Sequence, residues 1–302
     1  AVESSLIKLG SIAAPDVGYV AGPQTSHYRT TLRVAVENGR PAYRRSGSNE
    51  LVQIDDCFVA HPLMEDLLAE GSFGTATEVT IRVGSRTGDR LVMGEPNVDG
   101  FRLPDDVTVI GKSKARKNRN AFIMEEAAGI KWKISARSFF QSSPEGAEML
   151  AALAGEWLTL HDVGEQVLVD LYAGVGLFSG TVGDWFEKVT AVESSPSAVQ
   201  DAANNLGSHV AVHKMQVEKW IPELADVVIA DPPRAGLRVE GVEQIRKTQA
   251  PHVMLISCDA GALGRDASLM TAAGYELDQV DILDMFPQTS HVEVVSGWVR
   301  SN

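Results

Sequence analysis

Cysteine is nearly absent: Cys57 and Cys258 are the only two in 302 residues. Two thiols cannot build a disulfide framework, a four-cysteine zinc site or an iron–sulfur cluster, so no metal and no iron–sulfur cofactor is expected. Long apolar runs are missing too. No stretch of about 18 apolar residues occurs, and AVESSLIKLG has no basic-then-apolar leader. That pattern predicts a soluble, cytoplasmic protein with neither a membrane span nor a signal peptide. A surplus of positive charge is the third absence. The net charge of −13 argues at first against a polyanionic partner. Its distribution changes that reading. Residues 1–150 carry 18 Lys and Arg against 19 Asp and Glu, whereas residues 151–302 carry 9 against 21, so the acidity belongs to the second half. Within the first half, Lys112, Lys114, Arg116, Lys117 and Arg119 crowd one polar stretch without an acid, which is either a basic patch or a solvated loop.

What the chain does contain is centred on VLVDLYAGVGLFSG, residues 167–180. An apolar strand reaches Asp170 and enters a turn bearing Gly174, Gly176 and Gly180 before helical spacing resumes. Glycine permits a sharp turn and a close approach of ligand to backbone. Ser179 stands where the third glycine of a G-x-G-x-x-G would be, so a plain dinucleotide fingerprint is unsupported. Glu193 closes the next apolar strand, where a carboxylate can take both ribose hydroxyls. The alternative for this stretch is an ordinary βαβ unit whose glycines serve packing only.

Length suggests two domains. Residues 1–24 read as a short amphipathic helix stopped by Gly10, then a loop with Pro15, Gly18, Gly22 and Pro23. Residues 25–138 alternate into short strands and hairpins around Asn38–Gly39 and Gly88, with a helix toward Gly71, giving an α+β domain in which Cys57 is read as core. From 139 to 302 strands and helices alternate, predicting a doubly wound, Rossmann-like parallel sheet with an antiparallel hairpin at one edge, since DMFPQTSH joins the last two strands without a helix.

Ligands of open parallel sheets lie beyond the carboxyl ends of strands. Asp231 ends one such strand and is held by Pro232, Pro233 and Arg234; the bland reading is a stiffened loop. Cys258 ends another, where the following helix start should lower the thiol pKa, though a buried small hydrophobe is equally consistent with its setting. Alternation puts His291, Glu293 and Val295 on one face of an edge strand, with Glu293 a candidate base and His291 structural.

In this order SFFQSS, DLYAGVGLF, VTAVESS, DPPRAGL, SCDAGALGRD and DMFPQTSHVE resemble the RNA 5-methyluridine (uracil-C5) methyltransferases, and the likeness covers nearly the whole chain. The resemblance implies S-adenosylmethionine as cofactor, tRNA or rRNA as partner, a monomer, and residues 1–24 packed on the catalytic half. It implies Gln141, Tyr172, Gly174, Gly176, Leu177, Glu193 and Asp231 at the cofactor and substrate site, Cys258 as nucleophile and Glu293 as general base. The chain departs from the family where Asp259 and Ala260 replace Asn and Pro and Leu177 replaces Asn. RNA contacts are expected from Arg29, Arg44, Arg45 and the 112–119 cluster. Two other readings stay open: an amino-nitrogen RNA methyltransferase, although Arg234 stands where that class places a stacking aromatic, and a non-catalytic RNA-binding protein that keeps a cofactor fold.

Overall fold

The computed structural model describes every residue except 14, 23, 117–119, 164, 290 and 302. The chain forms two compact units, one of residues 1–23 with 148–302 and one of residues 24–147. The division falls inside the helix Pro144–Leu160, nine residues beyond the boundary expected from sequence. No helix among the described residues is long and apolar enough to cross a membrane.

The large unit is an eight-stranded, Rossmann-like sheet. Its central strands, Glu165–Leu171, Phe186–Glu193, Val210–Lys214, Val227–Ala230 and His252–Ser257, are all parallel. Val227–Ala230 is buried along its whole length, as befits a strand covered on both faces, and the chain turns polar only at Asp231, where it leaves the sheet. Val169, Leu171, Val228, Ala230, Val253 and Leu255 share one core with Leu237, Ile245, Leu263 and Trp298. Each such aliphatic side chain contributes about 1.5–3 kcal/mol, so the backbone that presents the polar residues at the strand ends is stiff.

Tyr275–Leu283 and Glu293–Arg300 form the expected antiparallel hairpin. Its place in the sheet differs from the expectation in two respects. Glu293–Arg300 is an interior strand, paired antiparallel with His252–Ser257 on its other side. The outer edge is supplied by Gly18–Val20, which pairs parallel with Asp281–Leu283. The segment before it forms a helix, Val2–Lys8, with Val2 and Leu6 buried in the large unit's core. The backbone of this helix lies so close to the helix Ala260–Ala272 that a Cβ on Gly264 would stand 2.7 Å from the Ser5 carbonyl oxygen.

The small unit carries a six-stranded sheet in the order Leu51–Gln53, Arg40–Arg44, Thr31–Glu37, Glu78–Val83, Arg90–Glu95, Val107–Gly111, antiparallel except for its last pair. One face packs Leu32, Val34, Val79, Ile81 and Val92 against Met64, Leu67 and Leu68. The helix expected toward Gly71 is shorter than the apolar spacing suggests, with a 3-10 turn at Pro62–Met64 leading into Glu65–Ala69. Cys57 packs at the border of this core, where its sulfur lies 3.3 Å from the Tyr43 hydroxyl.

Candidate active site

Five neighbouring strands of the large sheet bring five titratable residues into one row. Across the sheet, Glu193 ends Phe186–Glu193, Asp170 lies near the end of Glu165–Leu171, Asp231 follows Val227–Ala230, Cys258 follows His252–Ser257, and Glu293 opens Glu293–Arg300. Because the last strand is antiparallel to the others, its beginning lies beside their ends.

The glycine turn forms the first part of the row. Glu193 folds back on the turn: one carboxylate oxygen accepts the Gly174 N–H at 3.0 Å and the other the Ser195 N–H at 2.6 Å. Gly174 has φ +58° and nothing within 4 Å of where a Cβ would stand, so the turn presents bare backbone to open space. Gly176 has a different reason to be glycine, since at φ +99° an added Cβ would strike Leu206 at 2.8 Å. Tyr172 is held at φ +61°, a strained value for a bulky residue, with its hydroxyl toward Glu218. Leu177, the first residue of the short helix Leu177–Thr181, is buried. Beneath the turn Asp170 accepts the Ser179 amide and hydroxyl, while its other oxygen is buried without a partner. Burial pushes its pKa up to about 6 against the pull of the Ser179 bonds. Bare backbone, a carboxylate oriented by two amides and an orphaned acceptor together fit a nucleoside-bearing group.

The loop after Val227–Ala230 is fixed from outside. Asp266, on the helix that follows Cys258, accepts the N–H of Leu237 at 2.7 Å and of Arg238 at 3.1 Å. The Asp231 loop and the Cys258 helix are thereby tied into one piece. Burial, together with the Asp170 carboxylate, raises the Asp231 pKa to about 7.

Cys258 and Glu293 come together through strand register. Ser257 pairs with Val294, so the next position sets Cys258 against Glu293. Glu293 is 5% exposed, and no described residue donates a hydrogen bond to it. Burial first, then the nearby Asp231, pushes its pKa up to about 8. The expectation that the helix start would lower the thiol pKa is overturned. Burial and the carboxylates of Glu293 and Asp231 raise it, and the force in the other direction comes from the nearby Arg234 guanidinium. Asp259 caps the helix Ala260–Ala272 by accepting the Ala262 N–H at 2.7 Å, a role that carboxylate and amide side chains share, so replacement of Asn by Asp leaves the cap intact.

Sequence reasoning placed Arg234 in the turn that holds Asp231 and read His291 as structural, and it did not anticipate the contact between them. The guanidinium reaches His291 Nδ1 at 2.5 Å and stands near enough to Cys258 to pull its thiol pKa down. His291 precedes the strand and does not share a strand face with Glu293. Their signal was present in the double-proline turn, which aims Arg234, but the partners lie 24 and 57 positions further along the chain.

The remaining expected residues lie in the small unit. Gln141 is buried there. Arg44 and Lys114 are exposed, Arg45 pairs with Glu50 at 2.9 Å, and Lys112 pairs with Glu95. Arg29 has its Nε buried without a hydrogen-bond partner. The acid-free stretch is therefore not free of acid in space, because Glu95 meets Lys112 from the preceding strand. Lys117 and Arg119 lie outside the described residues, as does the side chain of Arg116.

Comparison with known proteins adds three findings. Residues 223–299 match the tRNA (uracil-5-)-methyltransferase family model. An uncharacterized RNA methyltransferase of Streptomyces coelicolor is 31% identical over 310 residues, covering 95% of this chain and 67% of that protein, and one of Streptomyces avermitilis is 32% identical, covering 89% and 66%. This chain thus spans about two thirds of the length of those curated relatives. Among solved structures, Pyrococcus abyssi tRNA (uracil-54, C5)-methyltransferase in complex with S-adenosyl-L-homocysteine matches with a TM-score of 0.78 at 23% identity, covering 99% of this chain and 82% of that one, which shows a shared fold.

Proposed function

The chain belongs to the tRNA (uracil-5-)-methyltransferase family of RNA methyltransferases, and from that premise we propose that it methylates C5 of a uridine in tRNA or rRNA through a covalent bond between Cys258 and C6 of the base. The observation that carries this reading is the register that sets Cys258 against Glu293 with Asp231 beside them.

S-adenosylmethionine, when bound, supplies an electrophilic sulfonium methyl. Gly174, Gly176 and Leu177 would pass its amino-acid end along bare backbone, Glu193 would take its ribose hydroxyls, and Tyr172 and Asp231 would border it.

The uracil C5 is a poor nucleophile until electron density is pushed onto it. Cys258 Sγ, as thiolate, donates a pair to C6, and the C5=C6 electrons move into an enolate whose C5 can accept the methyl. Arg234 favours the thiolate, its cationic charge working against the carboxylates of Glu293 and Asp231 that disfavour it. After transfer C5 holds both a methyl group and a hydrogen. Glu293 takes that proton, the C5=C6 double bond re-forms, and Sγ leaves with its electron pair. A base with pKa about 8 is well matched to this step near neutral pH, because it holds a strong affinity for the proton while a usable fraction remains ionised. The uridine must leave its stack to be attacked at C6, so loops and flipped bases are the expected targets.

The test is to incubate the protein with RNA from cells lacking it and methyl-labelled S-adenosylmethionine, then analyse the nucleosides. Label in 5-methyluridine is expected. Label in an N-methylated base would favour the amino-nitrogen chemistry, and no label with intact cofactor binding would favour a non-catalytic RNA-binding protein.

A further inference from the structure

The small unit has a built groove on the sheet face opposite its core. Period-two alternation that buries Val79, Ile81 and Val83 turns Glu78, Thr80 and Arg82 the other way, and register sets Arg33 and Met93 on either side of Thr80. The chain at 136–139 completes the wall of an open groove of about 320 Å³. This lies at the low end of small-ligand sites, which run from roughly 300 to 1,000 Å³, and suits one nucleotide.

Its lining has two parts. Four cations, Arg33, Arg82, Lys112 and Arg137, face two carboxylates, Glu78 and Glu95. Glu78 orients Arg33, Glu95 orients Lys112, and the Arg82 guanidinium is anchored on the Ser135 carbonyl at 2.9 Å. Arg137 has no ion-pair partner among the described residues. The apolar part is Met93 and Phe139, the latter 66% exposed, an unusual setting for a phenylalanine flanked by the buried Ser138 and Phe140. An acidic peptide would use the cations but would leave the aromatic face unexplained; a nucleotide uses both.

We propose that this groove binds one nucleotide of single-stranded RNA, with phosphate at Arg137 and Lys112 and the base against Phe139 and Met93. The assignment rests on the reading of the chain as an RNA-modifying enzyme, yet of the acid-free 112–119 stretch it uses Lys112 alone, and it can fail separately from that reading.

The test uses the whole chain and fluorescein-labelled tetrauridylate. Thr80→Trp fills the groove from a position facing away from the core, and Arg137→Ala removes the unpaired cation. Thr80→Trp should weaken tetrauridylate binding about tenfold or more, and Arg137→Ala should weaken it several-fold while lowering the salt slope by about one. S-adenosylmethionine binding and the thermal midpoint should stay unchanged, which separates groove loss from misfolding. Unchanged tetrauridylate affinity in both variants overturns the proposal. Competition by uridine monophosphate as effective as by tetrauridylate overturns it in favour of a free-nucleotide site, and tighter groove binding of hexaglutamate overturns it in favour of an acidic protein segment. If the groove responds as expected while the wild type methylates no RNA, the groove stands and the proposed activity falls; methylation with an indifferent groove gives the converse.

Discussion

Two carboxylates in the same row, at one end of the strands of a single sheet, are treated in opposite ways. Glu193 is tied by two backbone amides, one from the turn it faces and one from the next helix start. Glu293 is buried, receives no hydrogen bond from any described residue, and has its pKa pushed up to about 8. An acceptor locked by amides is suited to holding a ligand's hydroxyls in place. A desolvated carboxyl group with free lone pairs is suited to taking a proton. On the proposed reading the contrast puts binding at one end of the row and chemistry at the other, with Asp231 between them.

The sharpest way to break this contrast is to remove the thiol. Cys258→Ala should reduce methyl transfer to background while S-adenosylmethionine affinity changes by no more than about twofold, measured by label incorporation and calorimetry; loss of cofactor binding would erase the division between the two ends. Glu293→Gln should lower turnover by about 10²–10⁴ and accumulate a methylated protein–RNA adduct that survives denaturation. Free methylated product at the normal rate would remove Glu293 from the mechanism.

The same residue should be visible in stability. Its folded pKa of about 8 lies above the usual 4.5, so between those values the folded state holds a proton that the unfolded state has lost. Stability from this group is therefore present below pH 4.5 and lost as pH rises toward 8. Glu293→Gln should be more stable than wild type at pH 8.5 by an amount on the order of a few kcal/mol and equal to it near pH 4.5, in urea unfolding at the two pH values. The smallest effect is expected at the other end of the row. Glu193→Gln should weaken S-adenosylmethionine about tenfold, the loss of one charge-assisted contact, without adduct accumulation.

Much of this architecture could be read from the chain because it is written in local patterns. Alternating strands and helices, the glycine turn and the Asn38–Gly39 hairpin each occupy one short window. What escaped was set by partners distant in sequence. Gly18–Val20 is too short for alternation to register, and it sits among Gly and Pro that signal a loop. A hairpin between 275 and 300 is legible, but which of its strands faces the parallel sheet is not, so Glu293 looked like an edge residue. The thiol pKa followed the wrong cause because the helix start is adjacent in sequence, whereas Glu293 and Asp231 arrive from other strands. The groove of the small unit collects residues from 33 to 139, and no single window contains its charge pattern.

The edge strand Gly18–Val20 also has a consequence for the order of events at synthesis. Its pairing partner, Asp281–Leu283, is made more than 250 residues later, and residues 24–147 leave the ribosome in the interval. Until the partner emerges, Gly18–Val20 offers unpaired backbone groups to any passing strand, and the apolar side chains of Val2 and Leu6 have no surface on which to dock. Closure of the large sheet is thus a late, long-range step, of the kind that folds slowly and leaves nascent chains most dependent on chaperones.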